Sequence, residues 1–277
     1  MNEFKEVYLL FARVFHVELM ALMLSLPRIH AFLSASQLLS PSAIPTLPRH
    51  VCILSLSIVI VPINMQQAAA FDGDIAHFMM IFVKEYALGF LMGYLVGWIF
   101  WAVQAAGALI DNQRGAAIAS STDPMQGHEA SPLGIMFSHI FITYVFVTGA
   151  MLPIFGILYQ SYALWPVTHF IPEISHKFPT FILAAFDYAS RFVVIVAGPI
   201  VAVMFLAEFA LAMVSRFAPQ LQVFVLAMPI KSLLAIMMMV FYFSTMIRYA
   251  ESNIPIMHDY TARILEFLPS QPPTTAP

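Results

Sequence analysis

Charge is scarce in this chain. Of its 277 residues 10% are Asp, Glu, Lys or Arg and 61% are hydrophobic, with a mean hydropathy of +0.84. Soluble domains carry about a quarter charged residues, so this balance excludes an ordinary water-soluble domain and points to a membrane-type protein. Cysteine is almost absent: Cys52 stands alone in an apolar run and cannot form an internal disulfide. No CxxC or His/Cys cluster offers a soft metal site, so redox and zinc chemistry are not expected. The 12 Lys and Arg residues are scattered singly in a chain of net charge −3, which leaves no basic stripe for nucleic acid and no polybasic lipid anchor. Catalytic motifs are missing too. There is no HExxH, GxSxG, phosphate-binding glycine loop or GxGD, and His128-Glu129 lacks the second histidine of a zincin, so neither an enzyme nor a cofactor is expected. The N-terminal segment carries Glu3, Lys5, Glu6, Arg13 and Glu18 among its apolar residues, which argues against a cleaved signal peptide.

What the chain does have is long apolar runs. Six can be drawn, Val7–Leu33, Val51–Phe71, Phe78–Ile110, Ile135–Tyr159, Phe181–Val214 and Val223–Ile247, each near or above the roughly 20 residues a membrane-spanning helix needs. An all-α, membrane-type architecture of helical hairpins follows. Breakers fall between the runs: Pro41, Pro45 and Pro48, then Asp72-Gly73-Asp74, then Trp165-Pro166 and Ile171-Pro172. Two runs exceed one straight span, and the fifth contains Gly198-Pro199, so kinked or divided helices are expected there. Beyond the sixth run, Ile256, Tyr260, Ile264 and Leu268 share one helical face, the pattern of a short amphipathic helix. Lys and Arg are spread evenly over alternate sides, so the positive-inside rule gives no orientation.

One polar stretch interrupts the apolar pattern. Residues Asp111 to Gly134 (DNQRGAAIASSTDPMQGHEASPLG) hold glycines at 115, 127 and 134 and the turn-forming pairs Asp123-Pro124 and Ser131-Pro132. Its charges need water or partners, which a lipid-facing linker does not supply.

Within the apolar runs, Gly89, Gly93 and Gly97 recur every four residues and form a bare ridge for close helix packing, either inside the subunit or on a partner. Trp98, Phe100 and Trp101 follow, as interface anchors or as filling between helices. Ionisable residues in these runs are costly without partners: Arg13, Glu18, Lys84, Glu85, Asp187, Arg191 and Glu208, with Arg216 and Lys231 at the edges. Asp187 and Arg191 stand four apart, the spacing of a helical ion pair. Glu208 has no basic neighbour at helical spacing, which leaves Arg216, Lys231 or another subunit to compensate it.

Two separated motifs carry a resemblance. The first is Gly107, Asp111, Gln113, Arg114 and Gly115, followed by Asp123-Pro124. The second, in SRFAPQLQVFVLAMPIKS, is Arg216, Pro219, Gln220, Pro229 and Lys231. Together they resemble the T-subunit family of the type III secretion export apparatus, relatives of flagellar FliR. Ala12-Arg13, Pro27, Glu85, Gly89 and Gly93 extend the resemblance over nearly the whole chain. Gln222-Val223 departs from the family's usual Asn-Val, and the QRGA…DP wording favours the secretion branch over the flagellar one.

The resemblance implies a non-catalytic core subunit of the export gate in the bacterial inner membrane, raised towards the periplasm in the assembled complex. It implies a fused R-like and S-like subunit, with residues 1–268 as one helical domain and 269–277 as a disordered tail. The expected partners are the R and S subunits, the U switch subunit, the inner rod and needle proteins, inner-membrane lipid and transiting unfolded secreted proteins. Gln113, Arg114, Gly115, Ala116, Ala117, Ser120, Asp123 and Pro124 are expected to shape a channel plug. Gly89, Gly93, Gly97 and Gly107 are expected at helix contacts, and Glu85, Asp187, Arg191, Glu208, Arg216, Gln220 and Lys231 at subunit interfaces or as buried charges. The alternative reading is a secondary transporter of a small solute, since broken helices and buried charges also mark such sites.

Overall fold

Where apolar side chains exclude water, each backbone amide must be satisfied inside its own segment, and the helix does this. The computed structural model describes residues 2–39, 44–69, 71, 74–115, 131–167, 178–218 and 223–266. Over them run α1 (Asn2–Ala35), α2 (Thr46–Ala69), α3 (Ile75–Arg114), α4 (Pro132–Val147), α5 (Met151–Leu164), α6 (Phe178–Phe217), α7 (Val223–Ser252) and α8 (Ile254–Glu266), with no strand among the described residues. Among the described residues five helices are long and apolar enough to cross a membrane, and the broken α4–α5 pair makes up to six.

The break does not fall where proline places it in the sequence. α6 continues for 40 residues through Pro199, and α1, α2 and α7 likewise hold Pro27, Pro62 and Pro229 in their interiors. In apolar surroundings local adjustment re-satisfies the one backbone bond a proline removes, so the helix persists. The division lies instead at Thr148–Ala150, inside the fourth apolar run. There Gly149 takes φ +72° and its amide donates to the Phe146 carbonyl (3.2 Å), a left-handed helix ending suited to glycine.

The polar stretch is also shorter than its composition indicates, because α3 runs on to Arg114 and α4 starts at Pro132. Asp111 and Arg114 pair on the last turn of α3. Ser131 caps α4 by accepting the Gly134 amide, with Pro132 in the first turn.

The chain divides into two compact units, one of residues 1–97, 150–182 and 257–277, the other of 98–149 and 183–256. In the first unit, a Cβ on Gly89 would stand 2.1 Å from the Arg28 carbonyl oxygen, and one on Gly93 would stand 2.3 Å from that of Phe32. The glycine ridge of α3 therefore takes the backbone of α1 against it, within the chain, and Gly97 is buried at its end. α8 carries the exposed pair Asp259–Arg263 (3.0 Å) and sets Tyr260 against the Phe181 ring, while the side chain of Ile264 and all of Leu268 lie outside what is described.

In the second unit α3 crosses α4 with equal closeness, a Cβ on Gly107 falling 2.6 Å from the Gly134 Cα. Phe100 is fully buried against Phe141, and Trp98 is buried edge-on to Tyr188, so both fill space between helices, whereas Trp101 is half exposed. Apolar side chains also cover outward faces: Val59 and Ile63 on α2, Phe205, Leu206 and Phe209 on α6, Leu233, Val240 and Phe241 on α7. Lipid or neighbouring protein must meet these faces.

Candidate functional site

Two polar clusters stand out against this apolar background, one in each unit. In the first unit the Arg28 guanidinium of α1 grips the Glu85 carboxylate of α3 with two bonds, Nε to Oε2 at 2.6 Å and Nη2 to Oε1 at 2.8 Å. Lys84 Nζ adds a contact to Oε1 at 2.9 Å. Arg28 and Glu85 are enclosed, 1% and 0% exposed. Arg28 also donates to Ser161 Oγ and the Trp165 carbonyl (both 3.1 Å) and lies 4.1 Å over the Tyr162 ring. Lys84 donates to the Val167 carbonyl (2.6 Å), and the Val167 amide donates to Gln67 (2.7 Å). Side chains from α1, α2 and α3 thus hold the strand of chain that leaves α5. A bidentate guanidinium–carboxylate pair with further hydrogen bonds to the guanidinium is the arrangement in which buried charge is tolerated.

In the second unit a single carboxylate joins the two borders of residues 116–130. Asp111, 2% exposed, accepts from Arg114 Nε at 2.7 Å through Oδ1. Its Oδ2 accepts from the Ser131 hydroxyl (2.6 Å) and the Leu133 amide (2.9 Å). Gly115 closes α3 with φ +86°, a region where a side chain is strained, and its amide donates to the Asn112 carbonyl (3.1 Å). α7 approaches the same point. Lys231 Nζ lies 3.4 Å from the Gln113 carbonyl and pairs with Glu208 of α6 at 2.6 Å. The structure thus brings together Gln113, Arg114, Gly115, Lys231 and Glu208, of which Lys231 was among the foreseen partners of Glu208.

The other expected residues are dispersed. Asp187 and Arg191 form the foreseen ion pair (2.9 Å), but in the open, 63% and 73% exposed. Arg216 is exposed at the end of α6. Ala116, Ala117, Ser120, Asp123, Pro124 and Gln220 lie outside the described residues. Among the described residues no group of three or more His, Cys, Asp and Glu side chains gathers to hold a metal. What the two clusters do is fix chain position.

A family model described as bacterial export proteins, family 1, matches residues 19–255. The chain belongs to this export family. It is 37% identical over 220 residues to Yop proteins translocation protein T of Yersinia pestis, covering 79% of this chain and 84% of that protein. It is 31% identical over 199 residues to surface presentation of antigens protein SpaR of Salmonella typhimurium, covering 71% and 73%. The flagellar biosynthetic protein FliR of Bacillus subtilis is 30% identical over 165 residues, 59% of this chain and 64% of the relative.

These relatives make the chain a T-subunit of the type III secretion export apparatus, a multi-pass protein of the bacterial inner membrane that works with other apparatus subunits. For this export subunit, sequence reasoning picked out Glu85 and Lys84 but passed over Arg28, their partner. The available signal was an arginine inside an apolar run, next to a proline. It likewise placed Asp111 in the polar stretch without recognising that one carboxylate serves both of its ends.

Proposed function

We propose that this subunit helps to form and close the central channel of the type III secretion export gate, through which unfolded secreted proteins pass. Residues 116–130 supply the closing segment, with Ala116, Ala117, Ser120, Asp123 and Pro124 shaping it. The observation that carries this reading is the clamp at Asp111. A segment that blocks a channel needs both borders held while its middle is free to be replaced by cargo, and one buried carboxylate binding Arg114, Ser131 and the Leu133 amide supplies that base. The small residues of AAIASS suit a narrow lumen.

The role is non-enzymatic, and energy comes from other components. The partners are the R and S subunits, which meet the apolar faces of α6 and α7, together with the U switch subunit and the rod and needle proteins. In the assembled complex part of the subunit is raised towards the periplasm. The relatives lend no support to a small-solute transporter.

Deleting Ala116–Thr122 should leave the complex assembled and make cells leaky to small solutes. A properly assembled complex with unchanged permeability would remove the proposal.

A further inference from the structure

We propose that Lys231 is a positioning residue for the seal, fixing the C-terminal end of α3, and that Glu208 sets where its ammonium stands. The consequence for permeability rests on the channel reading above. The contacts themselves involve described residues of the second unit alone.

The last carbonyls of a helix have no intrahelical partner and bear the negative end of its dipole, so a cation is favoured there. α3 is a 40-residue helix, and Lys231 Nζ stands 3.4 Å from its Gln113 carbonyl. The chain leaves helical geometry at Gly115, and Met228 packs there, its Cγ 3.6 Å from the site a Cβ would occupy. Met228 and Lys231 are three apart and share one face of α7. That face therefore touches the end of α3 at two points, one polar and one apolar.

Lys231 is 12% exposed and Glu208 49%. An ammonium so far out of water needs its counter-ion, which Glu208 supplies at 2.6 Å. Glu208 has a further effect: by holding Nζ from the α6 side, it leaves the remaining donors of Lys231 pointing at the carbonyl end of α3. The pair thus transmits the relative placement of α6 and α7 to the residue from which the closing segment departs.

The test uses the assembled complex in cells, with assembly checked by copurification on native gels and sealing read as uptake of a small impermeant dye. Lys231→Met should assemble and raise uptake roughly tenfold, the change in a closed-to-open ratio expected when a contact to a charged group is lost. Lys231→Arg, which keeps charge and reach, should restore the seal. The double exchange of Glu208→Lys with Lys231→Glu keeps an ion pair but sets a carboxylate against the Gln113 carbonyl, so it should assemble and still leak. A merely structural ion pair would be rescued by that exchange. If the assembled Lys231→Met complex, or the assembled double exchange, is as tight as the unaltered one, the proposal is overturned. Where Lys231→Met does not assemble, the double exchange decides alone. A leak on deleting Ala116–Thr122 with no leak in Lys231→Met overturns the role of Lys231 and leaves the channel reading standing. A tight deletion overturns the channel reading itself.

Discussion

The two polar clusters use similar side chains in opposite settings. Around Glu85 the charges are enclosed, and they sit mid-helix where Gly89 and Gly93 admit the α1 backbone. Around Asp111 the charges are more open: Asp111 and Arg114 close α3, Arg114 is 19% exposed, the adjoining Gly115 has left the helix, and the neighbouring Glu208 inside α6 is half exposed. Separating the first cluster requires charge to leave an enclosed, bidentate pairing, whereas Arg114 and Glu208 in the second already reach the surface. Buried pairs resist separation because a stranded charge is so costly, and a pair reached by water loses less when it parts.

The largest effect should come from breaking the enclosed pair. Glu85→Ala strands the Arg28 guanidinium and should cost about 3–5 kcal/mol, read as a large fall in the temperature at which the purified subunit unfolds in detergent. Replacing both partners, Arg28→Met with Glu85→Met, should recover part of that loss, since a well-packed apolar pair can match a buried ionic one while Lys84, 10% exposed, loses the Glu85 carboxylate. A tolerated Glu85→Ala would show that the pocket is wet, and the contrast between the clusters would go.

That pocket also marks what the sequence could and could not convey. Asp187–Arg191 was legible because helical spacing alone brings those side chains together, and Gly89 and Gly93 were legible for the same reason. Arg28 and Glu85 lie 57 residues apart, and nothing local ties them. The all-helical fold followed from the apolar runs, but the break falls at Gly149, and the helix continues through Pro199. At the end of α3, Lys231 binds a backbone carbonyl, so the side chain of Gln113 says nothing of the contact. Two ends of a polar stretch sharing Asp111 is a property of the crossing at Gly107 and Gly134, which only packing determines.

A smaller and more local effect should follow at the loop base. Asp111→Ala leaves the Leu133 amide and the Ser131 hydroxyl without their acceptor, a loss of about 1–3 kcal/mol confined to the borders of the segment. Hydrogen exchange should then run roughly tenfold faster at the Leu133 amide while amides around Glu85 keep their protection. Equal loosening at both places would mean that the carboxylate supports the whole fold and not the loop base alone.

The least effect is expected at Arg191. Its pair with Asp187 has the geometry of a good ion pair but stands in the open, and such pairs contribute about 0–0.5 kcal/mol on a helix surface. Arg191→Ala in the purified subunit should therefore leave the unfolding temperature within about a degree or two, the range set by that energy for a chain of this size. The 2.9 Å contact of Asp187–Arg191 is close to the distances of Arg28–Glu85; burial and the second bond separate the two pairs. A loss as large as that of Glu85→Ala would place Asp187 and Arg191 in a dry environment even in the isolated chain, and the distinction between enclosed and open charge would no longer hold.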